Sequence, residues 1–152
     1  MSATDTIKGA ITIQAKPAVV FNVIMDFDRY RHWNPWMQRA HRQHVDDPDY
    51  FVANHGLLGT VRHQLVNIVE PESIRWNIAG WQRHFVQATR EVCIYPASNQ
   101  ATLVTLKVSF TGFALWPAKP LLTLYVRKQA MAELVALKQR CESLLANTKV
   151  PA

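Results

Sequence analysis

The sequence predicts an α+β fold in which one curved antiparallel sheet wraps around a long C-terminal helix. Residues 7–13 alternate between apolar and polar side chains, the period-two pattern of a strand with one buried face. From Pro120 the apolar residues recur every three or four positions, which predicts an amphipathic helix over about residues 120–146. The segments between are short and strand-like, so all 152 residues are expected to form one domain.

Two short helices are predicted after the first strand. Pro17 has the φ angle of a first helical turn, and this helix is expected to run to about Asp26. Lys16 is a poor N-cap, so packing must stabilise the helix. A second helix is predicted over Phe27 to His32, because the Asn34-Pro35 break disfavours helical geometry beyond it.

Six more strands are predicted between the short helices and the long one. They are β-branched or aromatic segments separated by turn residues, and their short connections indicate an antiparallel meander. The expected ranges are Met37–Val45, Tyr50–Asn54, Thr60–Val69, Ser73–Ala79, Phe85–Tyr95 and Ala101–Thr111. The first strand is expected to join them, which gives a seven-stranded sheet.

Alternation along these strands predicts an inward face that is apolar apart from a few polar groups, a composition typical of small-molecule pockets. The long helix is expected to cover this face, with Glu133 among its polar residues directed elsewhere. The predicted ligand-binding residues are Trp76, Ile78, Arg90, Val92, Leu106, Val108, Phe110, Leu124, Met131 and Leu134.

Three residues are candidates for chemistry on the inward face. Arg90 needs a partner there, and a ligand carboxylate or enolate oxygen would suit it. The structural alternatives are a side chain that extends past the edge of the sheet to solvent, or an ion pair with Glu91 or Asp26. His63 also alternates with apolar neighbours, so it is either an acid or base near neutral pH or a hydrogen-bonded core residue. Tyr125 is the third candidate, for proton transfer.

Other site types lack a pattern. His41 and His44 are three apart on a strand and point to opposite faces, and no other histidine spacing suits a metal, so neither metal nor cofactor is expected. Nucleophile-elbow and phosphate-loop motifs are absent. Cys93 and Cys141 are expected to be buried and reduced, with a disulfide between them as the alternative.

The formal net charge is +6, and no Asp or Glu occurs between residues 92 and 132. Such a surface attracts acidic lipid headgroups, an anionic ligand or nucleic acid. The basic residues are dispersed and no nucleic-acid-binding module is recognisable, so no specific nucleic-acid partner is expected. The start of the chain has no leader-like pattern and no apolar run could span a bilayer, which favours a cytoplasmic protein.

The segment before the long helix is unusually apolar. Phe113, Leu115 and Trp116 are predicted to gate a ligand site, with packing over the open end of the sheet or an oligomer interface as alternatives. Lys119 and the Arg127-Lys128 pair lie close by in sequence. Aromatic and cationic groups together suit a transient contact with a membrane surface.

The order strand, two helices, six strands and long helix resembles the START-like, helix-grip superfamily, of SRPBCC type, and specifically its polyketide cyclase/dehydrase and lipid-transport branch. The matching local features are Pro17-x-x-Val20-Phe21, Asp26–Trp33, Gly59-Thr60 and Leu134-x-x-Leu137-Lys138. The resemblance implies a hydrophobic cavity between sheet and helix. It also implies that Trp33 and Trp36 pack the short helices onto the sheet.

The leading functional expectation is a carrier or sensor that binds a hydrophobic small molecule such as a lipid, an isoprenoid or an aromatic polyketide. A cyclase or dehydratase acting on a polyketide-like substrate is the second. A protein-interaction module is the third, and the sequence leaves monomer and homodimer open. The fold itself does not decide among these, because one fold supports many activities.

Overall fold

A computed structural model describes residues 5–43, 50–54, 59–79, 87–111 and 119–148. These ranges contain two α-helices, a short 3₁₀ helix and seven strands. In chain order these are β1 (Asp5–Ile13), α1 (Pro17–Met25), the 3₁₀ helix (Phe27–His32), β2 (Gln38–Gln43), β3 (Tyr50–Asn54), β4 (Thr60–Val69), β5 (Ser73–Ile78), β6 (Gln87–Pro96), β7 (Thr102–Thr111) and α2 (Lys119–Thr148).

The seven strands form one antiparallel sheet in the order β1-β7-β6-β5-β4-β3-β2. Strands β2 to β7 follow one another as the predicted meander. Strand β1 closes the other edge by pairing with β7, with Ile7 opposite Val108. The sheet curls around α2, so the predicted α+β helix-grip architecture is confirmed.

Helix α1 is held by its packing. Lys16 makes no side-chain cap, as expected, and Pro17 begins the helix. The buried side chains of α1 are Val20, Phe21, Val23 and Ile24. At about 1.5–3 kcal/mol for each fully buried apolar side chain, this burial outweighs the missing cap.

Helix α2 lies close against β1 on the inner face of the sheet. A Cβ atom added at Gly9 would sit 2.0 Å from Met131 Cε and 3.1 Å from Leu134 Cδ1. The Lys138 ammonium donates to the Thr12 carbonyl at 3.0 Å and ties the helix to the same strand. Glycine at this position of β1 therefore leaves room for the Met131 side chain.

Both cysteines are free thiols. Cys141 is fully buried on α2, and this burial raises the pKa of its thiol to about 12. Cys93 is only partly buried on β6, so the expectation that it would be buried is wrong. Its side chain lies on the outer face of the sheet, one residue away from the inward-facing Val92.

Within the described ranges, no helix combines the length and apolarity needed to cross a bilayer.

Candidate functional site

The inner face of the sheet is apolar, as the alternation predicted. Trp76 on β5 and Val92 on β6 are buried there, and Ile78 is partly buried. Strand β7 contributes the buried residues Val104, Leu106, Val108 and Phe110. This face therefore offers an apolar lining under α2, interrupted by the side chains of Arg90 and His63.

Arg90 is paired with a carboxylate from α2. Its Nη2 donates to Glu133 Oε1, and the two side chains are only 8% and 9% exposed. The partners expected from the sequence are wrong, because both are engaged elsewhere: Glu91 pairs with Arg75 on the outer face, and Asp26 with Arg29. The inward Arg90 is thus neutralised within the protein.

Glu133 is the functional candidate that the sequence analysis missed. It was placed on the polar side of α2, but it is buried against the sheet. It follows Ala130 by three residues and precedes Leu137 by four, and both of these are buried. Because residues three and four apart share a helix face, this spacing was the available signal.

The Arg90 guanidinium lies among soft, polarisable groups. Its Cζ atom is 5.7 Å from the Trp36 ring centroid and 5.2 Å from that of Trp76. Its Nη1 approaches Met37 Sδ at 3.6 Å. Cation–π contacts at these distances help to offset the cost of burying a cation.

Asn34 fixes the corner that brings two of these groups to Arg90. Its side-chain Oδ1 accepts hydrogen bonds from the backbone N–H of Trp36 at 2.9 Å and of Met37 at 2.8 Å. Its own N–H donates to the Tyr30 carbonyl at 2.7 Å. Asn34 is therefore a positioning residue for the surroundings of Arg90, beyond its predicted role in ending the 3₁₀ helix.

Tyr30 packs this corner onto the sheet. Its ring centroid is 5.2 Å from that of Phe27 and 5.0 Å from that of Trp33, and its hydroxyl donates to the Ile24 carbonyl. Burial, followed by the negative charge of Glu133, raises the pKa of Tyr30 well above its ordinary value. The phenol is therefore neutral and structural.

The ion pair leaves two buried atoms with no hydrogen-bond partner among the described residues, Arg90 Nε and Glu133 Oε2. Buried polar atoms are normally hydrogen-bonded, and each unmade bond costs about 1–3 kcal/mol, more for charged groups. Packing alone does not explain the burial of these two atoms.

The three chemical candidates do not form one cluster. His63 is buried on β4 opposite Ile78, whereas Arg90 on β6 is opposite Trp76, so two strand spacings and two residues along the strands separate them. Strand spacing and rise put their Cα atoms about 12 Å apart. Tyr125 precedes Glu133 by eight residues, about 12 Å along α2, and is only partly buried.

One predicted lining residue is misplaced. Leu124 is 62% exposed, because Val126 is buried and residues two apart lie about 160° from each other around a helix. Met131 is partly buried and Leu134 fully buried against the core. The predicted gate residues Phe113, Leu115 and Trp116 lie outside the described residues.

The outer face of the sheet has a different character. An open groove of about 500 Å³ crosses β1, β7 and β6, and charged side chains including Lys8, Glu91 and Lys107 line it. Across the described ranges, no group of three or more His, Cys, Asp or Glu side chains has an arrangement suited to a metal ion.

Residues 4–142 match the sequence model of the family described as polyketide cyclase / dehydrase and lipid transport. The chain belongs to this family. Membership in the polyketide cyclase/dehydrase family supports a role in hydrophobic-ligand binding or cyclase chemistry. No curated protein matches the chain in sequence.

Solved structures give the same fold. The aromatase/cyclase Zhui from Streptomyces sp. R1128 superposes with a TM-score of 0.75 at 16% identity, over 92% of this chain and 94% of that one. A START superfamily protein from Mycobacterium smegmatis gives 0.70 at 18%, over 91% and 98%. The di-domain ARO/CYC StfQ of the steffimycin biosynthetic pathway gives 0.77 at 12%, over 94% of this chain but 52% of StfQ. At these identities the likeness shows the START-like fold alone.

Proposed function

We propose that this protein binds a hydrophobic small molecule, such as a lipid, an isoprenoid or an aromatic polyketide, between the inner face of the sheet and α2, as a carrier or sensor. The observation that carries the proposal is the ion pair of the inner face. Arg90 is already neutralised by Glu133, so this face offers apolar burial and one polar anchor in place of a free catalytic cation.

Apolar burial supplies the driving force for such binding, at about 25 cal/mol per Å² removed from water. Most sites of this kind combine an apolar lining with a few polar groups that orient the ligand. The proposed contacts are Trp76, Ile78, Val92, Leu106, Val108 and Phe110 from the sheet and Met131 and Leu134 from α2.

Native mass spectrometry of protein purified from cells tests the proposal, with a bound or extractable apolar ligand as the expected result. A matched pair of variants locates the site: Val108→Phe adds bulk to the inner face, and Lys107→Phe adds a ring to the outer face one residue away. We expect Val108→Phe to weaken binding of the neutral dye Nile red at least tenfold and Lys107→Phe to leave it within twofold. Equal effects, with no ligand detected, would contradict the proposal.

A cyclase or dehydratase is the second candidate, favoured by the family and by the buried polar groups His63 and Arg90 on one face of the sheet. In that scheme Arg90 would stabilise an enolate and His63 or Tyr125 would move a proton. We rank this scheme second because Arg90 is already paired with Glu133 and because the Cα atoms of Arg90 and His63 are about 12 Å apart. Multiple turnovers of a poly-β-carbonyl compound by the wild type, lost in His63→Gln, would reverse this ranking.

The proposal includes transient docking on an anionic membrane. Leu121 and Leu124, at the start of α2, are 75% and 62% exposed, and Arg127 and Lys128 beside them are also exposed. Apolar side chains that enter the interface and cations that meet acidic headgroups reinforce each other there.

Vesicle co-sedimentation tests the docking. The wild type is expected to bind vesicles with 30% anionic lipid and not neutral vesicles, and Leu121→Ser with Leu124→Ser should abolish the binding. Val135→Ser, an exposed apolar position farther along α2, is the matched control and should have no effect. Equal sedimentation of all proteins with both kinds of vesicle refutes docking. If light scattering instead shows that the wild type is a dimer and the double variant a monomer, these leucines serve self-association.

A further inference from the structure

The Arg90–Glu133 ion pair uses only part of its hydrogen-bonding capacity. Nη2 donates to Oε1 and Nη1 approaches Met37 Sδ, whereas Nε and Oε2 have no partner among the described residues. Each of these atoms is two bonds away from an atom of the hydrogen bond that joins the pair. The site therefore presents one donor and one acceptor, each close to the hydrogen bond that joins the pair.

A single hydroxyl group satisfies both atoms, because its oxygen accepts one hydrogen bond while its hydrogen is donated to another. A carboxylate only accepts, so it leaves Glu133 Oε2 unpaired and adds a second negative charge beside it. Among the described buried residues, Arg90 is the one permanent cation, and Glu133 already balances it. Like charges in a poorly solvated interior repel strongly.

We propose that the polar end of the ligand is a neutral hydroxyl group, which accepts a hydrogen bond from Arg90 Nε and donates one to Glu133 Oε2. This inference rests on the proposed function, since it concerns the same apolar site. It replaces the expectation that Arg90 would receive a ligand carboxylate or enolate, which its pairing with Glu133 disfavours.

The indole rings near Arg90 add to the preference for a neutral headgroup. The rings of Trp36 and Trp76 lie within 6 Å of the guanidinium centre, so a ligand headgroup that reaches Arg90 also comes close to two aromatic rings. A headgroup that carries charge loses its hydration on entry and gains no counter-charge in return. A hydroxyl loses far less, and two hydrogen bonds to charged groups replace its water.

The test compares three probes of equal chain length, 1-decanol, decanamide and decanoate, as competitors of Nile red at pH 8. At this pH the carboxylate is ionised, since carboxyl pKa values lie near 4. For the wild type we expect decanol and decanamide, which also offers a donor and an acceptor, to bind at least tenfold more tightly than decanoate. Glu133→Gln removes the negative charge and should reverse the order in favour of decanoate.

Glu91→Gln makes the same substitution on the outer face and should leave the wild-type order unchanged. If circular dichroism shows that Glu133→Gln does not fold, the double variant Arg90→Met with Glu133→Leu is used in its place. This variant should lose the preference for decanol and decanamide over decanoate, apart from the difference due to their own hydrophobicity. If Nile red binds but decanoate competes as well as decanol does, or decanol does not compete, the hydroxyl inference is overturned and the proposed function stands. If neither Nile red nor any probe binds, the proposed function itself fails.

Discussion

The two faces of the sheet each carry an arginine–glutamate pair, and their surroundings make them differ. On the inner face Arg90 and Glu133 are 8% and 9% exposed, whereas on the outer face Arg75 and Glu91 are 47% and 27% exposed. The outer pair remains hydrated, so its attraction is weak and screened. The inner pair has lost its water, so each charge depends on the other. The same type of ion pair is therefore an exposed surface contact on the outer face and the polar centre of a candidate site on the inner face.

Removing one partner of the inner pair should have the largest effect. Glu133→Ala leaves Arg90 buried and uncompensated, and we expect a loss of about 3–5 kcal/mol in the free energy of unfolding, measured by urea denaturation. Replacing both partners, as Arg90→Met with Glu133→Leu, should restore most of this stability, because apolar groups of similar volume need no partner. A loss below 1 kcal/mol for Glu133→Ala would mean that water reaches the pair and that the two faces do not differ as described.

Adding a methyl group to the inner face of β1 should have an intermediate effect. Gly9→Ala places a Cβ atom 2.0 Å from Met131 Cε, which is the end of a flexible side chain, so this side chain must move, at a cost of about 1 kcal/mol. Without the clash, alanine would stabilise the strand by restricting the unfolded chain. The same substitution in a Met131→Ala background is therefore expected to cost less, and thermal denaturation of the four proteins measures the difference. An equal loss of stability in both backgrounds would show that the contact with Met131 is not its cause.

Breaking the outer pair should have the smallest effect. We expect Glu91→Gln to lower the free energy of unfolding by about 0–1 kcal/mol, and 1 M NaCl should reduce this loss further. Hydrogen bonds from the Arg75 side chain hold the pKa of Glu91 below its ordinary value. A lowered folded-state pKa stabilises the protein at pH values above the pKa of the unfolded chain, and this contribution is lost as the pH falls through the folded-state value. The difference in unfolding free energy between wild type and Glu91→Gln should therefore shrink from pH 7 to pH 3. A constant difference would show that the charge of Glu91 is irrelevant.

Most of the fold could be predicted from the sequence because its signals are local. The bounds of β3 and β4 are those predicted, and each described bound of the other meander strands lies within two residues of the predicted one. Period-two alternation also placed Trp76, Arg90 and Val108 on the inner face, since alternate residues in a strand must face the same way.

The candidate site was predicted only in part. Alternation identified Arg90 but not its partner, because the partner lies 43 residues away on α2 and no local pattern links the two. Glu133 was assigned to the polar side of α2 by residue type, although its spacing from buried neighbours indicated the opposite. Leu124 was likewise expected to face inward because it is apolar, but it is exposed.

The sequence by itself determined the elements, their order and the apolar inner face, because backbone preferences and side-chain periodicity act over a few residues. The tertiary structure decided that β1 pairs with β7, which carboxylate meets Arg90, and that Trp36 and Met37 reach the same point through Asn34. Those contacts join residues that only the curvature of the sheet brings together. The polarity of the candidate site depends on them, since a buried arginine is a free cation or a neutral anchor according to what lies across from it.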